Sequence, residues 1–557
     1  MLARGLCVVA CSVLLSVACG EDDGTASGGD AGTDASAGAG GSSGTSTGGT
    51  GGSGGSAAAS GSGGTAGSAG VSGSAGSGGA PTDAGTDVST DASTDAGNCD
   101  PPADAGCTDS GVTGAQEGYL KTDKSQSGLE LGRAIAMDGN TIVAGSAYYP
   151  LGSGKNGAVV VYTRDCNGWS LQAVLQPDNA GSQDQFGTSV AVSGDTIVVG
   201  AKDEDGPSDA MSNSGAAYVF TRCGAGWTQS AYLRASNAEN NDRFGTSVAI
   251  DGDVIVVGAR EEDSAATGIG GDQTNNAASQ AGAAYVFRRG VSGWSQEAYL
   301  KASNAEQNDG FGAAVGVSGN TIVVSAVGED SAATGINGAQ GNDPSYIQSG
   351  AVYVFTHSGS GWAQQAYIKP SNTGANLSLG ESLAIDGDTV VAGSIDETGG
   401  STGVNGDQTT TGLSSGAAYI FFRNAGTWSQ QAYVKASNTG ANDAFGASVA
   451  ISGDRVLVGA PQEDSAATGL NGDATSEAAN GAGAAYLYTR SAGNWAFSTY
   501  VKASNTGIAD LFGTAVAVSG SSFAVGAIFE DSGSTGVNGN QSDNSKGNSG
   551  ALYVFNP

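Results

Sequence analysis

Short apolar runs separated by polar turns recur along this chain, always in the same order. The pattern is clearest from Trp227 to Phe287. There, TSVAI and VIVVGA flank Asp251-Gly252, a Gly-containing two-residue turn, and this predicts a β-hairpin. GAAYVF predicts a third strand, and the run from Trp into AYLKAS a fourth. Their Val, Ile, Tyr and Phe suit a pleated, half-buried surface. The turn returns as Asp138-Gly139, Ser193-Gly194, Ser318-Gly319, Asp386-Gly387, Ser452-Gly453 and Ser519-Gly520.

Fixed marks count the units. A Phe-Gly or Leu-Gly pair occurs at Leu131, Phe186, Phe244, Phe311, Leu379, Phe445 and Phe512, at spacings of 55, 58, 67, 68, 66 and 67. Each tryptophan (Trp169, Trp227, Trp294, Trp362, Trp428, Trp495) stands 17 residues before such a mark. From the mark to the glycine of GA, GS or SA is 14 residues, with Ser325 in that glycine's place in the fourth copy. Only the next segment varies, from 17 and 18 residues in the first two units to 26–28 in the others. Constant segments are packed elements, and length variation maps to loops on one face. Four short strands per unit and seven units predict an all-β, seven-bladed β-propeller.

The chain stops at ALYVFNP, a third strand, and the missing fourth lies upstream, at Gly118 to Lys121, which matches AYLK at Ala298–Lys301. An N-terminal strand sealing the last blade leaves few open edges, whereas an open array needs atypical capping repeats, and none is visible.

Ahead of the repeats, residues 1–18 read as a signal segment, with Arg4 and an apolar run of 14 from Gly5 to Ala18, too short to span a bilayer. Leu15-Ser16-Val17-Ala18-Cys19 resembles the bacterial lipobox, which makes Cys19 the expected lipidation site. Residues 19–112 are a low-complexity Gly/Ser/Ala/Thr/Asp stretch, expected to be a disordered tether with an r.m.s. span of ~50 Å. The propeller then occupies 113–557.

Four cysteines remain after the signal and Cys19. Cys99 and Cys107 bracket a small Asp/Pro/Gly loop and are candidates to pair. Cys166 and Cys223 occupy corresponding points on neighbouring blades, where the outer rims are expected to stand too far apart for a disulfide. There is no Cys-x-x-Cys or Cys/His cluster for zinc. Lys plus Arg number 21 against 54 Asp plus Glu, a net charge of −33. Nucleic acid is therefore not an expected partner, and contact with a membrane is expected through the lipid only.

The unit W…AYLKASN…FG-x-SVA-x-[SD]GD-x-x-VVGA…GAAYVF resembles the FG-GAP repeat, which also builds the seven-bladed head of integrin alpha subunits. The resemblance runs from Gly118 to Pro557, and the literal Gly-Ala-Pro occurs once, at Gly459-Ala460-Pro461. Bacterial secreted and lipid-anchored proteins carry such repeats, mostly without assigned activity. Integrin-like blades hold a calcium loop between the first and second strands. Here that connection is a tight turn such as Ser193-Gly194-Asp195, so the family's calcium sites do not carry over.

The chemistry expected of the chain lies in the long loops after the second strand. They read EEDSAATGIGGDQ from Glu261, GEDSAATGINGAQ from Gly328, DETGGSTGVNGDQ from Asp396, QEDSAATGLNGDA from Gln462 and FEDSGSTGVNGNQ from Phe529. Their carboxylates make Glu262, Asp263, Asp272, Glu329, Asp330, Asp396, Glu397, Asp407, Glu463, Asp464, Asp473, Glu530 and Asp531 candidate calcium ligands, since Ca²⁺ takes oxygen donors. The alternative is that Asn-Gly makes turns and the acids keep the rim soluble. The single histidine, His357, stands where other units carry Arg, and no G-x-S-x-G elbow supports a Ser-His-Asp triad. The expected protein is a non-enzymatic binding or adhesion module for a protein or glycan, lipid-anchored at the bacterial outer membrane or cell surface. Two other classes stay open: an enzyme acting on polysaccharide at the long-loop face, and a purely structural surface protein.

Overall fold

The computed structural model describes residues 115–151, 154–409 and 414–556. The expected signal segment, the tether, Cys19, Cys99 and Cys107 lie outside the described residues.

Seven antiparallel sheets form the ring, five of them with their four strands in chain order. Blade 3 is representative: Phe244–Asp251, Val254–Ala259, Ala283–Gly290 and Gly293–Leu300. First strands touch the first strands of both neighbours all the way round, so they line the centre. The turn pairs Asp251 with Val254, so its two residues are Gly252 and Asp253, one position later than the sequence pattern suggested. Gly252 sits at φ 55° while Asp253 does not have a positive φ, the pattern of a type II′ turn with Gly in its first central position.

The last blade consists of Phe512–Ser519, Ser522–Ala527 and Ala551–Asn556, and its fourth strand is Ala115–Leu120 from the other end of the described chain. Tyr119 pairs with Tyr553 and Leu120 with Leu552, as Tyr299 pairs with Tyr285 and Leu300 with Ala284 in blade 3. The clasp is thus a normal fourth strand supplied from a distance.

The core lies between blades. One apolar cluster joins Val256, Val286 and Leu300 of blade 3 to Phe311, Val324, Tyr353 and Phe355 of blade 4. The Phe of each Phe-Gly mark meets the third-strand Tyr edge-on, as Phe244 does Tyr285 with ring centroids 5.3 Å apart.

The glycines of the repeat explain how closely the blades approach. The carbonyl of Gly245 packs on Gly200 of the preceding blade, where any side chain would collide with it. Gly312 packs on Gly258, Gly446 on Gly393 and Gly513 on Gly459 in the same way. Ser189, Ser247, Ser382 and Ser448 donate a hydroxyl hydrogen bond to these carbonyls at 2.7–2.8 Å. Blade 4 exchanges the two residue types. Ala314 stands where blades 2, 3, 5 and 6 have Ser, Ser325 replaces the glycine, and its Oγ accepts from the Ala314 N–H at 3.0 Å.

A second lock uses a β-bulge. In blade 3, Val286 pairs with Ala298 and Phe287 with Gln296, leaving Glu297 as the extra residue. Bulges re-aim a side chain. The equivalent Gln172, Gln365 and Gln431 each accept the indole N–H of the next blade's tryptophan at 2.7–2.9 Å. An arginine from the third strand lies over that ring, as Arg423 does over Trp428 at 5.1 Å. Glu117 of the clasp is the bulge residue of the last blade, and it pairs with Arg164 of the first at 2.5 Å. Ring closure therefore repeats the ordinary blade-to-blade contact.

Cys166 and Cys223 are disulfide-bonded, against the expectation that they stand too far apart. Both sit at the turn between third and fourth strands, and blades packed carbonyl-on-glycine bring those turns together. The bond ties blade 1 to blade 2, closing a loop worth about 4 kcal/mol in the chain-entropy model.

Two predictions follow from these contacts. Gly258→Ser, which copies only half of the blade 4 arrangement, should destabilise by about 1–3 kcal/mol through overpacking. Adding Ser247→Ala should recover part of that loss in a double-mutant cycle of urea melts; strict additivity would sink the exchange argument. Deleting residues 115–120 should expose the last blade's edge, lowering the melting temperature and promoting aggregation. An unchanged melting curve from a monomer would show that the clasp is dispensable.

Candidate functional site

Strand alternation places the long loops of blades 3 to 7 on one face, together with the fourth-to-first connections. The tight turns occupy the other. Each long loop begins with a glutamate that enters the blade rather than solvent. Glu262, Glu329, Glu397, Glu463 and Glu530 are all 0–2% exposed.

Each of these glutamates is held by a lysine and an asparagine, and all but Glu397 by a tyrosine as well. Glu262 accepts from Lys301 Nζ at 2.8 Å, from the Tyr299 hydroxyl at 2.7 Å and from Asn237 Nδ2 at 2.9 Å. The Tyr285 hydroxyl in turn donates to Asn237 Oδ1 at 2.7 Å. Lys369, Tyr367 and Asn304 surround Glu329; Lys502, Tyr500 and Asn438 surround Glu463. Lys435 and Asn372 hold Glu397. In the closing blade, Lys121 and Tyr119 of the clasp reach Glu530, each at 2.7 Å, and Asn505 completes the set. Burial drives the lysines below their ordinary pKa, against the pull of the glutamate. It also lifts the tyrosine hydroxyls far above theirs. Removing one partner of such a buried pair costs about 3–5 kcal/mol, because the other charge is left uncompensated. Blade 2 is a weaker version, with Arg234 approaching Glu204 at 3.4 Å.

Most of the other candidate calcium ligands accept hydrogen bonds within their own loops. The aspartate after each glutamate caps the far end of its own loop: Asp263 accepts from the Gln280 N–H, Asp330 from Gln348, Asp464 from Gly481 and Asp531 from Asn548, at 2.7–2.8 Å. Asp272, Asp407 and Asp473 are exposed and fold a local turn onto Thr274, Thr409 and Thr475, which lowers their pKa. Asp396 is raised by burial. Among the described residues no three His, Cys, Asp or Glu side chains come together as a metal cage. The geometry therefore scatters the thirteen candidates instead of converging them.

The loop returns to its own blade through the Asn-Gly turn. Asn337, Asn405, Asn471 and Asn538 sit at φ 54–56°. Each accepts the N–H of the fourth-strand tyrosine and donates its own N–H to that tyrosine's carbonyl. The preceding Ile336 and Leu470 bridge to Ile368 and Val501. In blade 5 this becomes a fifth strand, Gly403–Val404. The loop caps the upper edge of the outermost strand, an arrangement absent from the short loops of blades 1 and 2.

Sequence reading named the glutamates but not the lysine, tyrosine and asparagine around them. The signal was present, since AYLK and SN recur with the same offsets, yet those letters were absorbed into the strand pattern. His357 stands near the end of its third strand, on the tight-turn face, 3.3 Å from Glu297 and edge-on to Trp362.

This is a seven-bladed propeller whose blades are tied to one another by glycine contacts and bulge residues, and whose long loops are pinned by buried ion pairs. The FG-GAP repeat profile matches residues 169–220, 227–287, 294–355, 362–421 and 428–488, more than half of the chain, and the chain belongs to that family. No curated protein matches. Among solved structures, the crystal structure of the Chaetomium thermophilum Sqt1 is similar at 12% identity, covering 74% of this chain and 84% of that one, with a TM-score of 0.39.

Below the loops lies a further set of buried acids. Asp242, Asp309, Asp443 and Asp510 each accept a backbone N–H three residues back, at 2.8 Å. Burial first, then neighbouring loop carboxylates, pushes each up to about 7. An acid raised in the folded state binds more protons there than when unfolded. Its contribution is complete below the ordinary carboxylate range and is lost as pH rises through about 7. The melting temperature should therefore fall from pH 5 to pH 8. Asn at all four positions should flatten that slope, which a fall driven only by net charge would not show.

Proposed function

We propose that this protein is a binding module that presents the long-loop face to a neutral polar ligand, a glycan foremost, at the cell envelope. The observation that carries this reading is the way the loops are anchored. Each is pinned at its start by a buried Glu–Lys pair and at its return on the outer strand, by Asn in blades 4 to 7 and by the Gly270 N–H in blade 3, so the residues between are offered on a rigid support. Those residues include Thr274, Asn275 and Asn276 in blade 3 and Thr475 in blade 6, all exposed. Hydroxyls and amides of this kind suit hydrogen bonding to sugars without a charged counterpart. Loops on a rigid scaffold are where binding concentrates.

Export supports the same reading. The Cys166–Cys223 disulfide is a kind of bond that oxidising, extracytoplasmic compartments favour. Lipidation of Cys19, followed by a long polar leash, would then hold the ring off a bacterial membrane. Calcium has no part in this reading, because the loop acids already accept from protein donors.

Binding to immobilised neutral polysaccharides should be detectable, and replacing Thr274, Asn275 and Asn276 together by Ala should weaken it about tenfold, roughly 1.4 kcal/mol. At matched ionic strength, calcium and chelator should give the same affinity and the same melting curve. Absence of glycan binding would overturn the ligand class. Breakdown of a bound polysaccharide would move the protein to the enzymes, and a calcium-specific rise in melting temperature would restore the metal to the loops.

A further inference from the structure

The buried sets under the long loops hold a primary amine and a primary amide against the two oxygens of one carboxylate, and nothing in the binding role uses that chemistry. In blade 3 the two oxygens of Glu262 are divided. Oε2 accepts from Lys301 Nζ at 2.8 Å and Oε1 from Asn237 Nδ2 at 2.9 Å. One carboxylate thus touches both a nucleophilic nitrogen and the nitrogen of a potential leaving group. The orientation of the amide is fixed by its other end, since the Tyr285 hydroxyl donates to Asn237 Oδ1 at 2.7 Å. That hydrogen bond polarises the Asn237 carbonyl and is placed to stabilise negative charge on its oxygen. The surroundings are dry: Lys301 is 0% exposed and Tyr285 0%.

We propose that these sets are sites of internal cross-linking, in which the lysine amine displaces ammonia from the asparagine side chain to form a Lys–Asn amide bond. Nζ attacks Cγ, and the carbonyl electrons move onto Oδ1 beneath the tyrosine hydroxyl. Glu262 Oε2 takes a proton from Nζ. The tetrahedral centre collapses, the Cγ–Nδ2 bond breaks, and the same carboxylate returns the proton to Nδ2, which leaves as ammonia. The step needs no oxidant, metal or external reagent. Burial supports it by lowering the lysine pKa, which favours the neutral amine that attack requires.

The same constellation occurs in four further blades. It joins Lys369 to Asn304 through Glu329, Lys435 to Asn372 through Glu397, Lys502 to Asn438 through Glu463, and Lys121 to Asn505 through Glu530. Tyr353, Tyr419, Tyr486 and Tyr553 donate to the respective Asn Oδ1 at 2.6–2.7 Å. Blade 2 supplies an internal control. Arg234 replaces the lysine there, and a guanidinium, always protonated, is no nucleophile. The Lys121–Asn505 bond has a distinct consequence, because Lys121 follows directly on the clasp strand. Its formation would weld the N-terminal strand to the last blade and close the ring covalently.

The test is the mass of the natively purified full-length chain, followed by peptide mapping. Each bond makes the protein one ammonia lighter. A succinimide at Asn337-Gly338 or another Asn-Gly pair loses the same ammonia, so mass alone does not decide. Digestion should yield branched peptides joining Lys121 to Asn505 and Lys301 to Asn237, and none joining Arg234 to Asn179, the blade 2 asparagine that donates to Glu204 at 3.1 Å. Glu530→Gln removes the proton carrier while keeping the shape. It should abolish the Lys121–Asn505 peptide and leave the other branched peptides in place. If folded wild-type protein yields only linear peptides at these lysines, the proposal is overturned, whatever the variants do. A branched peptide undiminished in Glu530→Gln would overturn the role of the carboxylate.

Discussion

The closest constraint in this protein is the contact between a carbonyl oxygen in one blade and a bare α-carbon in the one before it. Where Gly245 packs on Gly200, a single methyl group would collide with backbone. Backbone cannot yield as a long side chain can, so this contact sets how near the sheets approach. Everything between the blades then has a fixed width. The Phe-Gly phenylalanine has room to meet the third-strand tyrosine edge-on, and the bulge residue reaches the next blade's tryptophan. In blade 4, where Ser325 replaces the glycine, its hydroxyl accepts instead from the Ala314 N–H of the same blade.

The polar sets under the loops act at the other end of each blade. A buried Glu–Lys pair is costly to assemble and its net stabilisation is small, but it is far costlier to break. It therefore acts as a specificity device, admitting one seating of each long loop. The hydrogen bonds from Tyr and Asn use the remaining lone pairs of the carboxylate, as a buried charge requires. The inner and outer ends of the loop are then fixed, and variation is left to the exposed residues between. In the closing blade the same set draws on Lys121 and Tyr119, so loop anchoring and ring closure share one glutamate.

The acidic balance of the chain has a related explanation. Many of its carboxylates accept backbone N–H groups or lysine, and only some, such as Asp272 and Asp473, face water. An acidic composition thus reflects internal hydrogen bonding as well as solubility.

The sequence by itself determined the repeat, the number of blades, the strand pattern and the clasp. These depend on local patterning and on fixed spacings, both of which survive in one dimension. Gly118 to Lys121 could be matched to Ala298–Lys301 because a fourth strand reads alike wherever it lies in the chain. The tertiary structure decided what the loop acids do. Glu262 meets Lys301 and Asn237 from segments on either side of it in the chain, and only the stacking of sheet, loop and connection makes them neighbours. The disulfide belongs to the same class. Cys166 and Cys223 seemed too far apart until the glycine contacts set the distance between blades.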